Sequence, residues 1–216
     1  MRIYKKYLKR CIDIVFSLLA LPFVLLVILI IAPVIYINDP GAIFYIAERR
    51  GRYGENFNMI KFRSMYINAP DIINTDGSTF NDENDPRVTK VGRIIRKLSI
   101  DEIPQLINVF TGSMSFVGPR PGIPRIPYEE ISDVLKHRLE VRPGITGYSQ
   151  AYYRNSISQD EKIKNDCFYV DNVNFIMDVK ILIQTFKTVI KRENIYIADS
   201  KLPSEQNSDD KEKAAK

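Results

Sequence analysis

Cysteine is scarce: Cys11 and Cys167 are the only two. Two cysteines do not make a disulfide scaffold, which fits a reducing compartment. Histidine is scarcer, with His137 alone. No His cluster can therefore hold a metal, no Cys/His group has zinc spacing, and His137 is assigned no role. There is no G-x-x-x-x-G-K-[ST] loop and no strand–G-x-G-x-x-G–helix unit, which argues against P-loop and Rossmann nucleotide binding. No internal repeat is present. Neither charge sign dominates: 31 basic against 26 acidic residues leave +5 over 216 residues, and no nucleic-acid partner is assigned. The length allows one core and a membrane segment.

What the chain does have is a long apolar run with cations on both sides. Arg2, Lys5, Lys6, Lys9 and Arg10 precede Ile14–Ile37, about 24 residues without a charge, enough to cross a bilayer as a helix. The run exceeds the ~7–15 apolar residues of a signal peptide and carries no clear cleavage pattern, so it is expected to stay attached. Arg49, Arg50 and Arg52 follow soon after it, and the positive-inside rule draws both flanks to the cytoplasm. Pro22 and Pro33 can break or bend the helix. A re-entrant helix satisfies both pulls. A kinked single-pass anchor is the alternative, and it would put the soluble domain outside.

Further on, Asn38-Asp39-Pro40-Gly41 reads as a turn. Ala42–Ile46 and Phe57–Phe62 flank Gly51 and Gly54 and read as a hairpin. Lys61 and Arg63 end its second strand, where two solvated edge cations are the plain reading. Asn68–Asp85 reads as a surface loop. Pro86–Leu98 reads as a helix with Val91, Ile94, Ile95 and Leu98 as its buried stripe and Arg93, Arg96 and Lys97 off it. Tyr128–Leu139 is a further helix, and Arg142–Gly147 a glycine-punctuated turn. From Ser158 the chain is helical, interrupted near Asp171–Phe175. Val179–Lys191 gathers Ile181, Leu182, Phe186, Val189 and Ile190 on one side, with Lys180, Lys187, Lys191 and Arg192 elsewhere. That pattern suits a membrane surface or a packed core. The expected fold is α+β, mostly helical. Residues 1–40 carry the membrane helix, 41–199 the catalytic domain with a short hairpin and interfacial helices, and 200–216 a disordered polar tail.

The chain is organised around Leu98–Pro121, LSIDEIPQLINVFTGSMSFVGPRP. Asp101 and Glu102 are expected just inside a helix start, where the dipole keeps a carboxylate ionised. Arg120 stands between Pro119 and Pro121, and a rigid guanidinium suits phosphate oxygens. The pairing suggests an anionic nucleophile acting on a phosphate-bearing substrate. Ser99 with Glu102 also forms S-x-x-E, a capping box that needs no catalysis. The two readings are compatible.

This stretch resembles the signature of the bacterial sugar transferases, small monotopic phosphoglycosyl transferases. So do Lys61-Phe62-Arg63-Ser64-Met65, Arg142–Gly147 and Asp166–Asp178, and the likeness covers roughly residues 8–192. The resemblance implies that Asp101 attacks the β-phosphate of a UDP-sugar, releases UMP and holds the phosphosugar covalently. A polyprenol phosphate acceptor, undecaprenyl phosphate, then takes it, the first membrane step of a surface glycan such as an exopolysaccharide, capsule or O-antigen. Glu102 would bind Mg²⁺ with Asp101 or handle the acceptor's proton. Lys61, Arg63, Arg96 and Arg120, the last framed by Pro119 and Pro121, would hold donor phosphates or nucleotide. Asp178 would support the site, and Arg154 would border the sugar pocket, where Tyr153 replaces a more usual glycine. The resemblance places the domain on the cytosolic face of the bacterial inner membrane, in contact with its lipids and with downstream glycosyltransferases. The family's membrane bend is usually Ser-Pro, and here Leu21-Pro22 stands about one turn earlier. Two rivals remain: a non-catalytic membrane-tethered basic module, and an anchored glycosyltransferase that releases UDP.

Overall fold

An apolar run this long satisfies its own backbone most simply as a helix. The computed structural model describes residues 3–70, 72, 80 and 82–191, and in it α1 is continuous over Lys9–Asn38 after a π-type turn at Tyr4–Leu8. Tyr4–Asn38 is, among the described residues, the one helix long and apolar enough to cross a membrane. Both prolines lie inside α1. Pro22 offers no amide to the Leu18 carbonyl. Just before it, the Ser17 hydroxyl donates to the Asp13 carbonyl at 2.6 Å, a back-bond that tends to bend helices. A straight 30-residue helix is about 45 Å long, yet both ends of α1 dock on the same domain. At the start, Lys9 pairs with Asp178, and Arg10 donates to the Val109 carbonyl at 2.6 Å. At the far end, Ile35 packs with Phe62 and Ile95, and Asp39 pairs with Arg63 at 2.9 Å. Between them Phe16, Leu19, Phe23, Leu25, Leu29 and Ile30 are more than half exposed.

The hairpin is longer than its apolar runs suggest. β1 (Phe44–Arg50) and β2 (Asn56–Phe62) pair antiparallel from Phe44 opposite Phe62 to Arg50 opposite Asn56. Tyr53 (φ 55°) and Gly54 (φ 86°) turn it. Next come α2 (Lys90–Lys97) and α3 (Gln105–Thr111), then β3 (Ser115–Val117), α4 (Asp133–Arg138) and β4 (Gly144–Thr146). α5 (Tyr148–Tyr152), α6 (Gln159–Asp171) and α7 (Phe175–Lys191) complete the order. β3 and β4 pair in parallel, Ser115 opposite Gly144 and Val117 opposite Thr146. The result is α+β and mostly helical.

Several expectations are corrected. α2 begins at Lys90, not Pro86, because Thr89 caps it by accepting from the Gly92 amide at 2.8 Å. Of the expected stripe on α2 only Ile95 is fully buried, against α1 and β2, while Ile94 and Leu98 face outward. Tyr128–Leu139 splits into a 3₁₀ turn at Tyr128–Glu130 and α4, because Ser132 caps a new helix by accepting from the Leu135 amide. A capping box does occur in the chain, but at Ser158 and Glu161, where α6 starts. On α7 only Ile181 of the expected stripe is fully buried, and Phe186 and Ile190 are more than 60% exposed. The outer part of that apolar face, Leu182, Phe186 and Ile190, is left largely uncovered by the described residues. The polar tail 200–216, Arg192 and most of the loop expected at Asn68–Asp85 lie outside the described residues.

Candidate active site

Three chain segments converge here, and each is placed by a local device. Lys61 lies near the end of β2. Asn108, buried on α3, clamps that strand: its Oδ1 accepts the Ile60 amide at 3.0 Å and its Nδ2 donates to the Asn58 carbonyl at 2.8 Å. α2 closes over the residues after β2 because Gly92 has no side chain. A Cβ there would sit 1.8 Å from the Ser64 carbonyl oxygen.

α2 then leads into the acids. Ser99 takes a left-handed conformation (φ 56°) and makes no side-chain cap, so the expected Ser99–Glu102 capping box does not form. Asp101 and Glu102 occupy a single 3₁₀ turn, Ile100–Glu102, instead of the first turn of an α-helix. The cause is Pro104, which has no amide to donate to the Ile100 carbonyl. Ile103 donates there instead, at 3.1 Å, and the α-helix starts only at Gln105.

The third segment is Pro119-Arg120-Pro121. It leaves β3 through Gly118, where a Cβ would lie 2.2 Å from the Arg142 carbonyl oxygen. Gly118 donates to the Thr146 carbonyl at 2.9 Å, and the Pro119 carbonyl accepts from Gly144 at 3.0 Å. Pro119 is buried while Arg120 is exposed.

Lys61 Nζ lies 2.6 Å from Glu102 Oε1, and Arg120 Nη2 lies 3.4 Å from the same oxygen. Burial works against ionising Glu102, but Lys61 and Arg120 outweigh it and hold the carboxyl at about 2. Asp101 behaves oppositely. Burial and then the charge of Glu102 push it up to about 6, against the pull of Lys61, Arg96 and Arg120. The helix dipole therefore does not hold Asp101 ionised as expected, since no α-helix begins at it. Its carboxylate has no hydrogen-bond or ion-pair partner among the described residues. Arg96 Nη1 on α2 is buried and also unpartnered.

Asp101, Glu102, Lys61, Arg96 and Arg120 thus share one electrostatic neighbourhood. Other sequence candidates lie elsewhere. Arg63 stands just past the end of β2 and is buried on Asp39, away from the acids. Asp178 is buried on α7 and bonded to Tyr4, Lys9 and Tyr169. Arg154 follows α5 with φ 49°, its amide donating to the Ser149 carbonyl at 2.9 Å. His137 bridges Glu140 and Asp171 at 2.9 Å each, on the surface. Sequence reasoning missed Asn108 and Arg138. A polar residue inside the apolar stretch LINVF could have flagged Asn108, whereas nothing local flags Arg138.

Among the described residues no group of three or more His, Cys, Asp or Glu could cage a metal. Mg²⁺ commonly takes only one or two carboxylates and completes its shell with water and substrate phosphates. Two adjacent carboxylates, one of them unpartnered, fit that mode. The cleft between α5 and α7, lined by Tyr148, Tyr152, Met177 and Lys180, includes none of these residues.

The sequence model of the family described as "Bacterial sugar transferase" matches residues 4–192. The chain is 38% identical to the UDP-galactose-lipid carrier transferase of Erwinia amylovora, over 88% of this chain and 42% of that protein. It is 40% identical to the uncharacterized sugar transferase EpsL of Bacillus subtilis, over 87% of this chain and 90% of the relative. It is also 37% identical to the undecaprenyl-phosphate galactose phosphotransferase of Salmonella typhimurium, over 88% and 42%. The chain spans about two fifths of the Erwinia and Salmonella proteins and nearly all of the Bacillus one.

Proposed function

The chain belongs to the bacterial sugar transferase family, and from that premise we propose that it moves a sugar 1-phosphate from a UDP-sugar to undecaprenyl phosphate. The observation that carries the proposal is the unpartnered Asp101 carboxylate beside Glu102, with Lys61, Arg96 and Arg120 around it. Surplus positive charge at a half-buried turn is what a diphosphate needs. The names of the Erwinia and Salmonella relatives point the same way for donor and acceptor.

Above about pH 6 Asp101 is ionised and able to attack. Its oxygen bonds to the β-phosphorus of the donor while the bond to the bridging oxygen breaks and UMP leaves with the electron pair. An oxygen of the acceptor phosphate then displaces the Asp101 carboxylate, giving a polyprenyl-diphosphate sugar. Splitting the transfer in this way replaces one hard step with two easier ones. Arg120 and Lys61, now resting on Glu102, are the donor's phosphate ligands, and Arg96 supplies a further donor nitrogen. Asp101 and Glu102 would hold Mg²⁺, which would offset phosphate charge there. Glu102, held ionised, keeps the cations in place until the donor arrives.

α1 supports the placement as well. Both of its ends dock on one domain while its middle is exposed, which supports a re-entrant helix, and the cations on both flanks of the run favour the cytosolic face of the inner membrane. The uncovered face of α7, flanked by Lys180 and Lys187, suits contact with anionic lipid. A cysteine introduced near Lys5 or near Arg50, in a background lacking Cys11 and Cys167, should resist impermeant thiol reagents in intact cells. Labelling at one flank only would establish a crossing helix.

The activity test is a screen of UDP-sugars, UDP-galactose first, with Mg²⁺ and undecaprenyl phosphate. UMP release is expected. Release of UDP would make the chain a glycosyltransferase, and no release from any donor would favour a binding module. Without acceptor, intact mass should show one phosphosugar on the protein. Turnover with no adduct would replace the two-step route with direct displacement.

A further inference from the structure

Arg120 does not orient itself. Its side chain is 55% exposed and meets its ion-pair partner at only 3.4 Å. What is fixed is the backbone that carries it. Gly118 and Pro119 are tied to β4 as described, and the Gly122 carbonyl accepts from the Arg50 amide at 2.8 Å. The carbonyl of Arg120 itself is taken by a side chain, Arg138 Nη2, at 2.6 Å.

Arg138 lies on α4, with its side chain 15% exposed, and its Nε donates to Asp166 Oδ2 on α6 at 2.7 Å. Asp166 is 4% exposed at its side chain, and its other oxygen accepts from Ser149 Oγ on α5 at 3.1 Å. A guanidinium so anchored has Nη2 fixed in direction, and that nitrogen holds the Arg120 carbonyl. The bond is charge-assisted and strongly oriented, as a lysine's would not be. Arg120 carries its guanidinium at the end of a long side chain, so a modest rotation of its peptide displaces the fork by more than 1 Å. Displacements of that size can cost on the order of 10²-fold in rate.

We propose that Arg138, held by Asp166, is a positioning residue that fixes the Arg120 peptide so that its guanidinium meets the donor diphosphate at the Asp101–Glu102 turn. The proposal rests on Arg120 being the phosphate clamp. Arg138 touches no substrate and acts only through Arg120.

The test is a double-mutant cycle on UDP binding by full-length protein in detergent micelles with Mg²⁺, read by calorimetry. UDP carries the diphosphate, so the result does not depend on the sugar. Arg120→Lys should raise the Kd about tenfold, equivalent to about 1.4 kcal/mol. Arg138→Lys, which retains a charge against Asp166, should do nearly the same. The double variant should be no more than twofold weaker than the worse single, because the second change finds nothing left to disturb. A double variant whose loss is the product of the two singles would overturn the positioning role, as would wild-type affinity in Arg138→Lys when Arg120→Lys is impaired. Wild-type affinity in Arg120→Lys would instead overturn the clamp reading, and the positioning role with it. Should Arg138→Lys fail to fold, Asp166→Asn, which keeps an acceptor oxygen for Arg138, enters the same cycle under the same criterion.

Discussion

Two carboxylate centres, Asp178 and Asp101–Glu102, are built in opposite ways. At Asp178 every oxygen is engaged: Oδ2 accepts from Tyr4 at 2.6 Å and from Lys9, and Oδ1 accepts from Tyr169 at 2.7 Å. At Asp101–Glu102 two adjacent acids face three cations, yet only Glu102 is paired, and Arg96 keeps a buried nitrogen without a partner. A satisfied centre has no capacity left for a ligand and serves to join elements, here α1 to α6 and α7. An unsatisfied centre is costly to fold, and its spare donors and acceptors are what a substrate would use.

The sharpest way to break this contrast is Asp101→Asn. UMP release should fall about 10³-fold or more, as losing a covalent catalytic group typically does, and the mass adduct should vanish. Stability should move the other way. The folded-state value of Asp101, about 6, lies above the unfolded value. The folded state therefore binds the proton more tightly, and its stability declines as pH rises from about 4 to 6. Asn removes that penalty at pH 7, worth on the order of 1 kcal/mol after allowing for partial exposure, or a Tm rise of about 2–4 °C. An adduct surviving in Asp101→Asn would move the nucleophile elsewhere.

Asp178→Asn should show the mirror image. It strands Lys9 in a buried position, at a cost of about 3 kcal/mol, while kcat/KM per folded molecule stays within twofold. Lost activity with an unchanged Tm would place Asp178 in the active site and dissolve the contrast. A smaller effect is expected of Arg120→Lys, which should lose roughly 1–3 kcal/mol in donor kcat/KM, measured at limiting donor. The gentlest probe is pH. With Asp101 titrating near 6, single-turnover adduct formation should fall about tenfold between pH 7 and pH 5. In Asp178→Asn that profile should be unchanged.

Local chemistry made part of this legible in the sequence. The uncharged run of α1, the glycines of the β1–β2 turn and the Asp-Glu and Pro-Arg-Pro motifs are all contiguous signals. What sequence could not give is long-range or oppositional. Lys61 and Arg63 look equivalent two positions apart, but one meets Glu102 and the other Asp39, a partner at the end of the membrane helix. S-x-x-E at Ser99 matches a capping box, yet Pro104 denies the segment its first α-helical bond and Ser99 turns left-handed. Phe186 fits a core or a membrane surface alike, but Ile94 reads as core because an apolar residue is assumed to face protein. On a chain carrying an uncovered apolar helix, that assumption loses its force.

The docking of α1 at both ends has a mechanical side. A domain hung from one end of a helix can swing, and its active site samples a range of heights. Here Lys9 and Asp178 fasten one end, and Asp39 and Arg63 the other. With α1 in the bilayer as proposed, the Asp101–Glu102 turn rides at a set altitude above the hydrocarbon. A lipid-borne phosphate diffusing laterally would always arrive at that same level, so the encounter reduces to a search in a plane.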